Sequence, residues 1–327
     1  MALTKGGAAE RSGAAVAVIG TGLIGRGWAI VFARAGYDVR MYDPQAGACS
    51  AALSEIELRL RDLERCGLVR EPREILARLM PAASIAEATQ AVELVQECAL
   101  ETLAVKRALF EELDRSTSGD AILASSSSAI PASAFTDGLP GRARCLVAHP
   151  ANPPYLIPIV EVVPAPWTLP DVVERATAMY RSAGQEPIVV RRELHGFILN
   201  RLQGALLNEA FRLVEDGYAD TESIDKTVAF GLGLRWAFMG PFETIDLNAP
   251  GGIADYADRY GGLYYEMAQQ QARPRPWSRE LIHRVESERR SVLPETGLKE
   301  RTAWRDKRLM LLAAHKAAAA ESTDESE

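Results

Sequence analysis

The first ordered pattern in the chain is the run Val16-Ala17-Val18-Ile19, apolar throughout and β-prone, which predicts a buried strand. It breaks at Gly20. Beyond the break, Ile24, Trp28, Val31, Phe32 and Ala35 recur at helical spacing, so a helix follows, and Gly36 sits where its C-cap belongs. A second apolar run, from Val39 to Tyr42, ends at Asp43.

The alternation continues downstream. Leu53, Ile56, Leu60 and Leu63 mark a helix from 46 to about 66, and another is expected from 71 to 80. Short β-prone runs at 92–95, 121–124, 145–148, 159–163 and 188–190 are interleaved with helical stretches near 102–115 and 169–183. Strands separated by helices predict a mainly parallel sheet with both faces covered, an α/β domain. Past about Leu194 the strand signals stop. Phe197, Ile198, Leu202, Leu206, Ala210, Leu213 and Val214 trace a long helix closed by Gly217, and Asp220 or Thr221 can cap the next. The expected division is therefore 1–194 for the α/β domain and 195–327 for an all-α domain, with no internal repeat.

Length agrees with two domains, since 327 residues exceed one typical core. A net charge of −7 argues against a nucleic-acid or anionic membrane partner. Cys49, Cys66, Cys98 and Cys145 are scattered without C-x-x-C spacing, which reads as reduced thiols in a cytoplasmic protein with no metal site. Residues 1–13 are small and polar and are expected to be flexible, with no secretory signal or membrane span. The acidic end, from about 320 to 327, is expected to be a disordered tail.

The first candidate chemistry lies at the opening break, Gly20-Thr21-Gly22-Leu23-Ile24-Gly25. In this G-x-G-x-x-G turn, Gly20 permits the tight turn, Gly22 lets a pyrophosphate approach bare backbone, and Gly25 allows the helix to pack closely on the strand. The free N–H groups at the helix start, with Leu23 and Ile24 among the expected contacts, would face the anion. Asp43, about 20 positions on, suits the hydroxyls of an adenosine ribose and repels a 2′-phosphate, which favours NAD over NADP.

In open α/β sheets ligands lie off the carboxyl ends of the strands, which singles out 124–130, 147–154 and 160–163. His149 has the chemistry to take a proton from an alcohol, or is a hydrogen-bonded residue at a strand end. Glu161 lies inside an apolar strand and needs a partner, for which His149 is a candidate, unless it faces water at a sheet edge. Ser128 is either a hydrogen-bonding group for the reacting oxygen or part of an ordinary serine turn. Asn200, near the start of the long helix, either joins the site or points to solvent.

Taken together, the Gly20 to Gly25 turn, Glu97 and Glu101 with Lys106, the serine segment, His149-x-x-Asn152-Pro153, Val160-Glu161-Val162-Val163 and Gly196-Phe197-Ile198-Leu199-Asn200-Arg201 resemble the 3-hydroxyacyl-CoA dehydrogenase superfamily over roughly 14–250. Within it, Ala148 to Tyr155 and Gly231 to Pro241 look closest to the λ-crystallin and L-gulonate 3-dehydrogenase branch. The resemblance implies a Rossmann-type doubly wound sheet followed by a helical dimerisation domain, an NAD cofactor, and a homodimer. It makes His149 the catalytic base, Glu161 its orienting carboxylate, and Ser128 and Asn200 the groups that position substrate. It places Asn152 by the nicotinamide, Glu101 and Lys106 near the cofactor, and Asp43 at the ribose.

One departure bears on the substrate. CoA-using members tend to carry a lysine-rich helix after the second strand, whereas 55–78 here holds six arginines against six acids and no lysine. A neutral segment is a poor cradle for a polyphosphate, although arginines gathered on one face would still serve. Arg235, in a glycine-flanked apolar stretch, is either an intramolecular ion pair, a solvated cation or a grip for a substrate carboxylate; the resemblance favours the last. The expected activity is NAD-dependent oxidation of the 3-hydroxyl of a small free hydroxy acid, with L-gulonate the first choice. A short-chain 3-hydroxyacyl-CoA dehydrogenase, a carnitine-type dehydrogenase and a non-enzymatic crystallin role are the alternatives.

Overall fold

A computed structural model describes residues 14–324. The strand run after Ala14 becomes β1 (Ala15–Ile19), and the glycine turn leads into α1 (Leu23–Arg34). There follow β2 (Asp38–Tyr42), α2 (Ala48–Arg65), α3 (Pro72–Ala77), β3 (Leu79–Pro81), α4 (Ile85–Ala88), β4 (Leu94–Glu97), α5 (Leu103–Ser116), β5 (Ile122–Ser125) and α6 (Ser133–Thr136). Then come β6 (Cys145–Pro150), β7 (Ile159–Pro164), α7 (Pro170–Ser182) and β8 (Glu186–Val189).

The eight strands form one sheet in the order β3-β2-β1-β4-β5-β6-β7-β8. The pairings are parallel except β6 against β7, which is antiparallel. The order reverses between β1 and β4, the switch point where doubly wound sheets take their ligands. Side chains alternate across β1: Val16 and Val18 join one core with Trp28, Phe32, Ile56 and Tyr180, while Ala15, Ala17 and Ile19 join the other with Phe110, Leu113 and Phe135. An apolar side chain at every position of this strand is what burial on both faces demands.

The helix expected over 71–80 stops at Ala77, and Leu79–Pro81 pairs with β2 as β3. A three-residue strand carries too little periodicity to be read from sequence.

Beyond β8 every regular element is helical: α8 (Phe197–Glu215), α9 (Thr221–Thr227), a π-helical turn (Val228–Leu232), α10 (Gly233–Trp236), α11 (Pro241–Asp246), α12 (Gly252–Gln271), α13 (Arg279–Val292) and α14 (Leu298–Asp324). Asp220 caps α9, its Oδ1 accepting from the Ser223 N–H at 2.7 Å.

Backbone contacts group the chain into two compact units, one of residues up to 201 with 302 onward, the other Leu202–Arg301. Sequence placed everything after 194 in the second. Two packing facts account for the difference. Phe197 is fully buried in the second sheet-face cluster, so the first turn of α8 stays with the sheet. Met310, with Leu309 against it, belongs to the first cluster, so the later part of α14 groups with the sheet as well. That helix also runs to Asp324, past the expected start of a disordered tail at about 320; Ala317 to Ala320 are the strongest helix formers. Residues 1–13 and 325–327 lie outside the described residues.

Candidate active site

The glycine turn is built as its composition suggested. Gly20 has φ +95°, and a Cβ there would lie 2.7 Å from the Cys98 carbonyl oxygen; one on Gly25 would lie 1.9 Å from the Gly20 oxygen. Only glycine fits either position. Beside Gly22 there is open space, with no atom within 4 Å of a would-be Cβ. No side chain caps α1, so the amides of Leu23, Ile24 and Gly25 are left for an anion. Asp43 stands just past β2 and is tied to the turn: its Oδ2 accepts from Thr21 N–H at 2.8 Å and Thr21 Oγ1 at 3.0 Å, and its Oδ1 from Gln45 N–H at 3.0 Å. Bare amides for a pyrophosphate and an oriented carboxylate for a ribose together fit NAD.

His149 and Glu161 are opposite one another in the β6–β7 pairing, so both side chains rise from the same face. Nδ1 of His149 lies 2.7 Å from Oε2 of Glu161, with both residues buried. A carboxylate opposite Nδ1 fixes the hydrogen there and leaves Nε2, which has no partner among the described residues, as the basic nitrogen. The other oxygen, Oε1, accepts from the amides of Ile198 at 2.7 Å and Leu199 at 3.0 Å, in the first turn of α8. Burial works against ionisation of Glu161, but the bond from His149 and the two amides outweigh it and hold the carboxyl below its ordinary pKa. The chain reaches α8 through two successive left-handed residues, Gly196 at φ +75° and Phe197 at φ +48°. For a bulky residue that conformation costs about 1–3 kcal/mol.

Ser128 and Asn200 are brought together. The Asn200 Nδ2 donates to the Ser128 carbonyl at 2.8 Å, so Asn200 does not simply face solvent. The serine segment is organised by Glu101, which accepts from Ser127 Oγ at 2.8 Å, Ser128 N–H at 2.7 Å, Ala129 N–H at 2.9 Å and the Ser128 hydroxyl. Partial burial opposes ionisation of Glu101, but these donors, the Ser128 hydroxyl foremost, pull its pKa below the ordinary value. Among the described residues, the hydrogen bonds Glu101 accepts thus come from the serine turn. Asn152, exposed beyond β6, has no side-chain partner among the described residues.

Lys106, expected beside the cofactor, is instead 1% exposed, with Nζ 2.8 Å from each oxygen of fully buried Glu97. Glu97 also accepts from Ala99 N–H at 2.6 Å and Ser125 Oγ at 2.6 Å. Lys106 therefore braces the ends of β4 and β5 through Glu97. The reason is that α5 turns this face of its first turns onto the sheet, where Phe110 and Leu113 are also buried.

Arg235 is exposed and makes no ion pair among the described residues. Its apolar neighbours Leu234, Trp236 and Phe238 are themselves exposed, so the apolar stretch does not bury it.

Several residues escaped sequence reasoning. Gln96 Nε2 donates to Ser126 Oγ at 2.8 Å, Gln96 Oε1 accepts from the Tyr180 hydroxyl at 2.5 Å, and Trp28 Nε1 donates to the same Ser126 oxygen at 3.2 Å. This buried network ties α1 to β4 and α7 beneath the strand ends. A glutamine at the heart of an apolar strand was its one visible signal.

The family model for the 3-hydroxyacyl-CoA dehydrogenase NAD-binding domain matches residues 15–194, and that for the C-terminal domain matches 196–292. Among curated proteins, the λ-crystallin homolog of Bos taurus is 41% identical over 303 residues, covering 91% of this chain and 94% of that protein. The L-carnitine dehydrogenase of Oceanobacillus iheyensis is 38% identical over 247 residues, covering 75% of this chain and 80% of that one. Among solved structures, an NAD-dependent 5-formyl-3-hydroxy-2-methylpyridine-4-carboxylic acid 5-dehydrogenase superposes with a TM-score of 0.77 at 26% identity, covering 92% of this chain and 97% of that one.

Proposed function

The chain belongs to the 3-hydroxyacyl-CoA dehydrogenase family, and on that premise we propose that it oxidises the 3-hydroxyl of a small free hydroxy acid, with His149 as the base. Membership makes it an NAD-dependent oxidoreductase acting on the CH–OH group of 3-hydroxy compounds. The observation that carries the proposal is the buried His149–Glu161 pair, which presents Nε2 of a fixed tautomer at the carboxyl end of β6.

Bound NAD would supply the acceptor for the hydride that leaves the carbinol carbon. The proton falls to the protein: Nε2 of His149 takes it from the hydroxyl, and Glu161 stabilises the imidazolium that results. Asn200, whose Nδ2 keeps one hydrogen beyond its bond to Ser128, donates to the reacting oxygen. Ser128, with its hydroxyl hydrogen turned to Glu101, offers lone pairs to the substrate. Asn152 would hold the nicotinamide end of the cofactor, Asp43 the ribose, and Gly20, Gly22, Leu23, Ile24 and Gly25 the pyrophosphate. Glu101 acts there by shaping the serine turn.

Two features favour a free acid over a CoA ester. On α2, Arg59 and Arg65 pair with Asp62, and Arg61 with Glu57, so the arginines are matched by acids of the same helix. Arg235 is an exposed guanidinium with no ion pair among the described residues, and is suited to a carboxylate. L-Gulonate is the first substrate to try, and L-carnitine, the substrate named for one relative and also a 3-hydroxy carboxylate, is the second. The experiment is NADH formation with L-gulonate, L-carnitine and 3-hydroxybutyrate, and NADH oxidation with acetoacetyl-CoA, for wild type and His149→Ala. The proposal expects a free acid to be preferred and His149→Ala to lose about 10²–10⁴-fold in kcat. A preference for acetoacetyl-CoA overturns the substrate class, and near-wild-type turnover of the variant overturns the base.

We also propose a cytoplasmic homodimer. No helix among the described residues is long and apolar enough to cross a membrane, and the four cysteines are free thiols. Residues 202–301 expose the large apolar side chains of Phe230, Phe238, Phe242, Leu263 and Tyr265, which a subunit contact would cover. Sedimentation at micromolar concentration distinguishes dimer from monomer.

A further inference from the structure

Phe197 stands apart from the rest of the site because two unrelated abnormalities meet in it. Its backbone is left-handed at φ +48°, a conformation that a large aromatic residue adopts only when its surroundings impose it. Its ring is fully buried, 5.7 Å centroid to centroid from the His149 imidazole at an interplanar angle of 50°. The next two amides in the chain, those of Ile198 and Leu199, are the ones that bind Oε1 of Glu161.

These facts have one geometric reading. Glu161 sits between the imidazole on one oxygen and the start of α8 on the other, and Phe197 is the residue that touches both arms of that arrangement. Its ring packs against the imidazole. Its backbone makes the turn that aims two N–H groups at the carboxylate. An ordinary right-handed residue at 197 would start the helix in another direction and carry those amides off Glu161. The preceding Gly196, also left-handed at φ +75°, supplies the other half of the turn.

We propose that Phe197 is a positioning residue for the acid–base pair: its strained turn and buried ring hold Glu161 and His149 in register, and so set the pH range over which the base works. The inference rests on the proposed role of His149, and goes beyond it by making the entry to α8 part of the same apparatus. A side chain that merely filled the core would affect stability alone. One that positions the pair must affect turnover and its pH dependence in protein that is fully folded.

The test compares Phe197→Ala and Phe197→Leu with wild type, using circular dichroism melts, NADH binding by fluorescence, and pH profiles of kcat and kcat/KM. In folded Phe197→Ala, kcat is expected to fall about 10–100-fold, with NADH affinity within about twofold of wild type. The acid limb of kcat/KM is expected to move by about half a pH unit or more, because a carboxylate released from its amides no longer presents the same charge to the imidazole. Phe197→Leu restores apolar volume without the ring, and is expected to lie between the two, about tenfold below wild type. If Phe197→Ala does not fold, Phe197→Leu decides alone. Wild-type kcat and an unmoved acid limb in either folded variant overturn the inference, as does a loss of activity that follows only the unfolded fraction. If His149→Ala is inactive while Phe197→Ala behaves as wild type, this inference fails and the proposed function stands; if His149→Ala is active, the function itself fails.

Discussion

Glu161 accepts hydrogen bonds from both sides, from His149 at Oε2 and from the amides of Ile198 and Leu199 at Oε1. A glutamine at 161 has one acceptor oxygen. Turned toward the amides, it points its NH2 at Nδ1, which forces the hydrogen onto Nε2 and disables the base. Turned toward His149, it sets NH2 against two N–H donors. Either arrangement fails, so Glu161→Gln is expected to lower kcat by about 10²–10³-fold with little change in KM for NAD. Steady-state kinetics check it, and a loss below about fivefold means that Glu161 does not orient the base.

The same carboxylate links stability to pH. Its folded pKa is depressed below the ordinary 4.5, so between the two values the unfolded chain holds more protons than the folded one, and stability rises with pH there. The contribution is complete above about pH 4.5 and is lost as pH falls through the folded value. Urea unfolding over a series of acidic pH values should show the gap between wild type and Glu161→Gln closing as the pH drops below about 4.5. A gap independent of pH would mean that the ionised carboxylate is not what stabilises this region.

Much of this was legible in the sequence, and what was not has physical causes. Strand β1, α1 and the glycine turn could be read because burial on both sheet faces leaves an unbroken apolar run and a helix leaves a 3.6-residue rhythm. Glu161 stands out as an acid inside an apolar strand, whereas His149 looks like an ordinary strand-end histidine and is singled out by the family resemblance alone. Their pairing was only a conjecture, because the register of β6 against β7 is set by tertiary packing. The burial of Lys106 against Glu97 was not legible, because a lysine in a helical stretch gives no local sign of being turned onto the sheet. The stretch around Arg235 differs in the opposite sense: Leu234 and Phe238 look like core, and they are exposed. Phe197 looked like an ordinary apolar helix position, and nothing in its neighbours other than Gly196 announces a left-handed backbone.

Burial of Lys106 against Glu97 makes a prediction that separates stability from ligand binding. Lys106→Met leaves Glu97 as a buried carboxylate with only Ala99 N–H and the Ser125 hydroxyl, and is expected to cost about 3–5 kcal/mol. Adding Glu97→Gln removes the orphaned charge and should recover part of that loss. Urea unfolding of the two single variants and the double variant measures the coupling. If Lys106→Met keeps wild-type stability and raises only KM for NAD, the lysine touches the cofactor after all.

Asp43 should govern the choice between NAD and NADP. Thr21 and Gln45 hold both of its oxygens in place, so it cannot readily swing away from a 2′-phosphate. Asp43→Asn removes the repulsion and weakens acceptance of the ribose hydroxyls. KM for NAD is expected to rise by about tenfold, and kcat/KM for NADP to improve by at least a similar factor. Unchanged values for both cofactors would show that this carboxylate does not face the ribose.

Arg235 gives the sharpest test of the substrate class, because among the described residues it has no ion pair whose loss would confuse the result. Arg235→Met keeps an apolar stem and removes the guanidinium, so its melting temperature should match wild type. If the guanidinium grips a substrate carboxylate, KM for the hydroxy acid rises by about 10–100-fold while KM for NAD is unchanged, since a hydrogen bond to a charged group contributes about 1.5–3 kcal/mol. Arg235→Lys should recover only part of the loss, because an ammonium cannot make the paired contact. Comparing each acid with its primary amide then isolates the interaction. Wild type should discriminate against the amide, and Arg235→Met should lose most of that preference. An Arg235→Met enzyme that separates acid from amide as sharply as wild type does would remove Arg235 from the substrate site.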